Sequence, residues 1–120
     1  MRRAMAALTV LLCALTLTAG CGSDNSGSGD SSAPKVIEVT ISGDSVTPNG
    51  DRVDVAVGQE VELKVTADEP GEIHVHSSPE QQLEYGAGET TVTIPGIDQP
   101  GTVDVESHAL EKVIVQLEVR

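Results

Sequence analysis

The sequence predicts an all-β fold, an antiparallel Greek-key β-sandwich, and three observations carry that expectation. From Lys35 onward apolar residues alternate strictly with polar ones, the period of strands with one face in a core and the other in water. Gly- and Pro-containing turn signals recur between the alternating runs, as they do where short strands reverse. No long segment carries a helical period; only Ala109-Leu110-Glu111-Lys112 suits a single helical turn.

The chain of 120 residues begins differently. Met1-Arg2-Arg3 is a short positive start, and Ala4 to Leu17 is uncharged and rich in Leu and Ala, the order of a secretory signal peptide. This run is shorter than the roughly 20 residues that span a bilayer. The two arginines lack the rest of a twin-arginine signal. Leu17-Thr18-Ala19-Gly20-Cys21 closes the run and resembles the lipobox of bacterial lipoproteins, whose cysteine sulfur receives a diacylglycerol and becomes the mature N-terminus. Thr18 stands where that motif usually has an aliphatic residue. The resemblance implies a leader over residues 1–20 and lipidation at Cys21. It also implies a place on the extracytoplasmic face of the cell membrane, held by the lipid anchor.

On that resemblance Cys13 would leave with the leader and Cys21 would be acylated, leaving no free thiol in the mature domain. Cysteine catalysis, disulfides and thiolate metal sites are thereby excluded. Residues 21–34 form the tether: between Gly22 and Pro34 no apolar residue exceeds Ala, the composition of a flexible linker with a mean reach of roughly 20 Å. The mature chain sets five basic residues against 19 acidic ones, a formal net charge of −14. Such a surface repels nucleic acid and anionic headgroups and favours metal ions or a basic envelope protein. Tyr85 is the sole aromatic residue, so stacking on bases or sugars is not available, and the core must be Val, Ile and Leu.

Over residues 35–120 seven or eight strands follow from the pattern. Ile37, Val39 and Ile41 alternate with Glu38 and Thr40; Val53, Val55 and Val57 with Asp54 and Ala56; Val61, Leu63 and Val65 with Glu62 and Lys64. Then come Ile73 and Val75, Val92 and Ile94, Val103 and Val105, and last Val115, Leu117 and Val119. Asn49-Gly50 signals a tight turn. Pro70-Gly71, Pro95-Gly96 and Pro100-Gly101 suit type II turns, with Pro fixing φ and Gly accepting φ > 0.

The three histidines fall on two of these runs. Glu72, His74 and His76 share the face opposite Ile73 and Val75, and Asp104, Glu106 and His108 share the face opposite Val103 and Val105. If the two strands pair, the polar side chains converge. His74, His76 and His108, with Glu106 or Glu72 assisting, then suit Zn²⁺ or copper, the carboxylates acting as a fourth ligand or fixing the imidazole tautomers. Histidines and acids on the wet face of a sheet are the structural alternative.

Two stretches resemble the end of a cupredoxin: Pro100-Gly101-Thr102-Val103-Asp104-Val105-Glu106-Ser107-His108 and Val115-Gln116-Leu117-Glu118-Val119. More closely, Gly71-Glu72-Ile73-His74-Val75-His76 and Leu117-Glu118-Val119-Arg120 resemble the cupredoxin-like domains of small actinobacterial-type secreted lipoproteins. The resemblance covers Lys35 to Arg120 and implies that the His74–His76 strand stands where the family has its first copper histidine. By the same alignment Ser107 stands at the copper cysteine and Val113 near the axial methionine. A blue-copper site needs that thiolate. Blue-copper electron transfer is therefore not expected, and a sulfur-free histidine site suited to Cu(II) or Zn²⁺ is what the resemblance leaves open.

Two function classes fit. One is a non-catalytic, membrane-tethered module that captures or hands on a transition metal ion, with affinity falling as imidazoles protonate near pH 6.5. The other is a metal-free interaction module for a basic envelope protein, which fits equally well without a cofactor. Enzymatic activity is not expected, because the sandwich offers little room for a substrate pocket and no nucleophile triad or phosphate loop is present.

Overall fold

The computed structural model describes residues 33–120; the leader, Cys21 and most of the tether lie outside the described residues. Nine strands follow in chain order: β1 (Lys35–Ser42), β2 (Ser45–Thr47), β3 (Asp51–Val55), β4 (Val61–Ala67), β5 (Gly71–Val75), β6 (Gln81–Tyr85), β7 (Gly88–Ile94), β8 (Gly101–Ser107) and β9 (Lys112–Val119). They build two sheets, ordered β2-β1-β4-β7 and β3-β9-β8-β5-β6.

The alternation read from the sequence is what holds the sheets together. Ile37, Val39 and Ile41 of β1, Val61, Leu63 and Val65 of β4, and Val92 and Ile94 of β7 bury one face of the first sheet. Ile73 and Val75, Val103 and Val105, and Val115, Leu117 and Val119 bury the facing side of the second. All belong to a single core cluster, so the two sheets form one β-sandwich as expected.

The expectation of purely antiparallel sheets is corrected in two places. β1 pairs β4 in parallel, and β3 pairs β9 in parallel. After the β1–β2 hairpin the chain crosses to the second sheet as β3 and returns as β4 beside β1. A strand regained through a crossing can run parallel to its neighbour, whereas a hairpin cannot give that direction. The two additional strands are β2, with one buried residue (Val46), and β6, an edge strand whose Gln-Gln-Leu-Glu-Tyr sequence has little apolar alternation.

The turns differ in detail from their sequence signals. The run through Val57 stops at Val55, because Gln59 N donates to Ala56 O and Gly58 takes φ +77°, leaving Val57 45% exposed. Asn49-Gly50 makes no tight hairpin turn: it lies in the crossing from β2 to β3, where Gly50 bends the chain at φ 79°. Of the three Pro-Gly pairs only Gly101 has φ > 0. Gly71 and Gly96 are required for closeness instead: a Cβ on Gly71 would strike the Tyr85 ring, and one on Gly96 the backbone of Gly58. Residues 108–111 make a turn and no helix, with Glu111 at φ 51°.

One irregularity matters for the site. Val105 faces Val115 across β8–β9, but Glu106 faces Val113, so Ile114 is the extra residue of a β-bulge. Ile114 and Val115 are therefore both buried in succession. The extra residue leaves Val113 opposite Glu106, on the polar face.

Candidate metal centre

β5 and β8 are neighbours and run antiparallel, which brings both histidine-bearing strands together. Their outward positions form a ladder. His74 is paired with Glu106 in register. His108 N donates to Glu72 O at 3.0 Å, and His76 N donates to Asp104 O at 2.9 Å. Each rung thus places one histidine opposite one carboxylate, an arrangement that alternation alone imposes once the two strands pair.

The side chains meet along diagonals. His74 Nε2 contacts Glu72 Oε1 on its own strand, and its Nδ1 lies 3.8 Å from Glu80 Oε1 in the β5–β6 connection. The His74 and His108 rings stack with centroids 4.5 Å apart and planes at 29°. Glu72, His74 and His108 each offer a ligand atom, all within 4.8 Å of one another. Tetrahedral ligand atoms about 2.0–2.1 Å from a metal stand roughly 3.3 Å apart, so binding requires the more distant of these atoms to draw together.

The remaining predicted ligands form a separate pair. His76 Nε2 lies 2.7 Å from Glu106 Oε2, and the His76 ring stands 6.5 Å from that of His74. Of the residues singled out in the sequence, then, His74 and His108 converge with Glu72, while His76 and Glu106 stand beside them as a second couple. Asp104 is held by Gln116 Nε2 at 2.9 Å. Glu111 was not anticipated: it lines a depression of about 150 Å³ with His74, Glu106, Ser107 and His108. Its place depends on the β8–β9 turn, for which the sequence carries no alternation signal.

The cluster is partly sheltered, with His108 exposed. The His74 side chain is only 17% exposed, and Glu72 is half-buried. Partial removal from water makes interactions with a bound cation stronger than at an open surface. Two imidazole nitrogens and a carboxylate oxygen form a donor set for Zn²⁺ or Cu(II).

Ser107 bears on whether a blue-copper centre fits. Its side chain faces the core and is fully buried, on the opposite side of β8 from Glu106 and His108. Its Oγ meets no hydrogen-bond partner among the described residues. A core-facing hydroxyl at the position the resemblance sets at the copper cysteine, aimed away from the histidine cluster, does not fit a thiolate-copper site. Burial pushes the Tyr85 phenol above its ordinary value of 10.0, and the Ser107 hydroxyl partly counters this. The two groups are thus close enough to influence one another without good hydrogen-bond geometry.

No family model and no curated protein matches the chain. Its fold is similar to that of a reduced tryptophan-to-tyrosine variant of amicyanin, at 14% identity and TM-score 0.50, covering 73% of this chain and 85% of the other. A proline-to-glycine variant of amicyanin, in its reduced Cu(I) form at pH 4, gives 13% identity and TM-score 0.51 with the same coverage. A multi-copper oxidase from Pediococcus acidilactici gives 14% identity and TM-score 0.52, covering 99% of this chain and 31% of that one. At such identities the likeness is one of fold: the domain is a cupredoxin-like β-sandwich.

Proposed function

We propose that this domain is a non-catalytic metal-capturing module, held on the outer face of a cell membrane by a lipid on Cys21. It binds Cu(II) or Zn²⁺ through Glu72, His74 and His108. The convergence of ligand atoms from those three side chains within 4.8 Å of one another, two of them partly buried, is the observation that carries the reading. For nitrogen and oxygen donors the general order of affinities places Cu(II) above Zn²⁺. His76 and Glu106 sit one rung along and assist by attracting the ion, together with the acidic surface as a whole. The absence of sulfur ligands separates this role from blue-copper electron transfer.

The tether supports the same reading geometrically. Gln59 Nε2 donates to Ala33 O at 2.8 Å and Lys35 N to Glu60 O at 2.8 Å, so the chain joins β1 beside the β3–β4 turn. The eight residues of β1 span roughly 26 Å at ~3.3 Å each. The metal cluster lies towards the other end of the sandwich, with Glu72 near the start of β5 and His108 just beyond β8. A lipid-anchored domain thus presents its histidines away from the linker.

The test is titration of residues 33–120, which contain all nine strands and the core, with Zn²⁺ and Cu²⁺ by calorimetry. Stoichiometric 1:1 binding at roughly micromolar Kd is expected, weakened about tenfold or more in His74→Ala and His108→Ala and much less in His76→Ala. Affinity falls on acidification, because the imidazoles must be deprotonated to bind. No binding, or equal binding in all variants, overturns the proposal and favours the metal-free reading. That reading, a module for a basic envelope protein, rests on the acidic charge. Anchoring is checked separately: Cys21→Ser should release the chain from the membrane fraction.

A further inference from the structure

Another concave feature lies at the same tether-distal end and borders the metal cluster, with its Ala109 next to His108 and its Pro70 just before β5. It is a groove of about 330 Å³, walled by the β1–β2, β4–β5 and β8–β9 turns. Its floor is apolar: Ile41 and Tyr85 are buried, and Leu110 packs against the core cluster. Its rim carries Asp44, Asp68 and Glu69, and no lysine or arginine lines it. At ~30 Å³ per water it has room for roughly ten waters, enough for a long side chain.

The rim is ordered. Asp68 Oδ2 accepts hydrogen bonds from Ser42 Oγ at 2.6 Å and from Gly43 N at 3.2 Å, which fixes the carboxylate over the groove. Its Oδ1 makes no hydrogen bond among the described residues and is available as an acceptor. Lys112, near this end, donates its Nζ to Asp44 O and makes no ion pair with Asp68 or Glu69 among the described residues.

We propose that this groove docks a basic peptide segment of a partner protein. A lysine or arginine lays its methylene stem on Leu110, Ile41 and Tyr85 and directs its charged head to Asp68 and Glu69. Long basic side chains are built for such a site, with an apolar stem and a cationic tip. Charge complementarity selects this occupant over a second copy of the same acidic chain, which like-charge repulsion disfavours. The inference is independent of metal binding, since none of the groove residues is a proposed ligand.

The experiment is fluorescence anisotropy of a labelled Arg-Leu-Arg-Leu-Arg peptide with residues 33–120 in the presence of a chelator. Saturable binding is expected. Asp68→Asn with Glu69→Gln should weaken it about tenfold, while Glu38→Gln with Glu89→Gln, the same charge loss on the other sheet's outer face, should change it less than about twofold. Asn keeps an acceptor for Ser42, so the fold is preserved. Equal weakening by both pairs would show general charge attraction and overturn the site, as would absence of saturable binding. Since the chelator removes metal, failure here leaves the metal reading intact. Failure of the metal titration likewise leaves this one intact.

Discussion

Replacing Gly71 by Ala tests how the only aromatic ring is seated, and its cost follows from the structure. Gly71 and Tyr85 are paired in register across β5 and β6. A Cβ on Gly71 would collide with the phenol oxygen, lie 2.7 Å from Cζ and lie 3.3 Å from Cε1. The ring is only 6% exposed and cannot swing aside freely. Overpacking of this kind costs about 1–3 kcal/mol. Removing a glycine returns about 0.4–1 kcal/mol by restricting the unfolded chain. The net expectation is a loss of about 1–2 kcal/mol, or a fall in Tm on the order of 5–10 °C for a domain this small. Urea unfolding followed by circular dichroism measures it. The decisive arm is Tyr85→Leu, which removes the colliding atoms: in that background Gly71→Ala should be neutral or slightly stabilising, a coupling of about 1–2 kcal/mol. Equal destabilisation in both backgrounds would refute the argument that the ring excludes a side chain at position 71.

Two further outcomes can be read from stability and spectroscopy. Tyr85 is the sole tyrosine, so phenolate absorbance reports it alone; its midpoint should lie above 10.0 in the folded domain, and Ser107→Ala should move it further up. Because the folded-state value is raised, its stabilising contribution is complete below pH 10 and is lost as pH climbs towards the folded value, so Tm should drop in that window and drop less in Tyr85→Phe. A midpoint at or below 10.0 would count against burial of the phenol. In the core, Leu63→Ala removes a fully buried side chain and should cost about 3 kcal/mol, whereas Val36→Ala, at a position 45% exposed, should cost well under 1 kcal/mol; similar losses at both would contradict the assigned strand face.

Period-2 alternation determined much of this protein. It assigned the inward faces of β1, β4, β5, β8 and the latter part of β9, and it placed Glu72, His74 and His76 on one polar face and Glu106 and His108 on another. Those are local properties, fixed by the geometry of an extended chain. Val57, Asn49-Gly50 and the Pro-Gly pairs were less legible, because a turn residue's conformation depends on what packs against it. Gly71 answers to Tyr85, and Gly96 to Gly58.

Strand neighbours were not legible at all from periodicity, since alternation says which way a side chain points and not which strand lies beside it. Only the tertiary structure decided that β5 and β8 pair, with Glu72 opposite His108 and His74 opposite Glu106. Only it separated the predicted ligands into Glu72, His74 and His108 on one side and His76 with Glu106 on the other. The two parallel pairings, the bulge at Ile114 and the groove between three turns arise in the same way. Each depends on contacts between residues far apart in the chain, and such contacts are fixed by how two sheets close over a shared core.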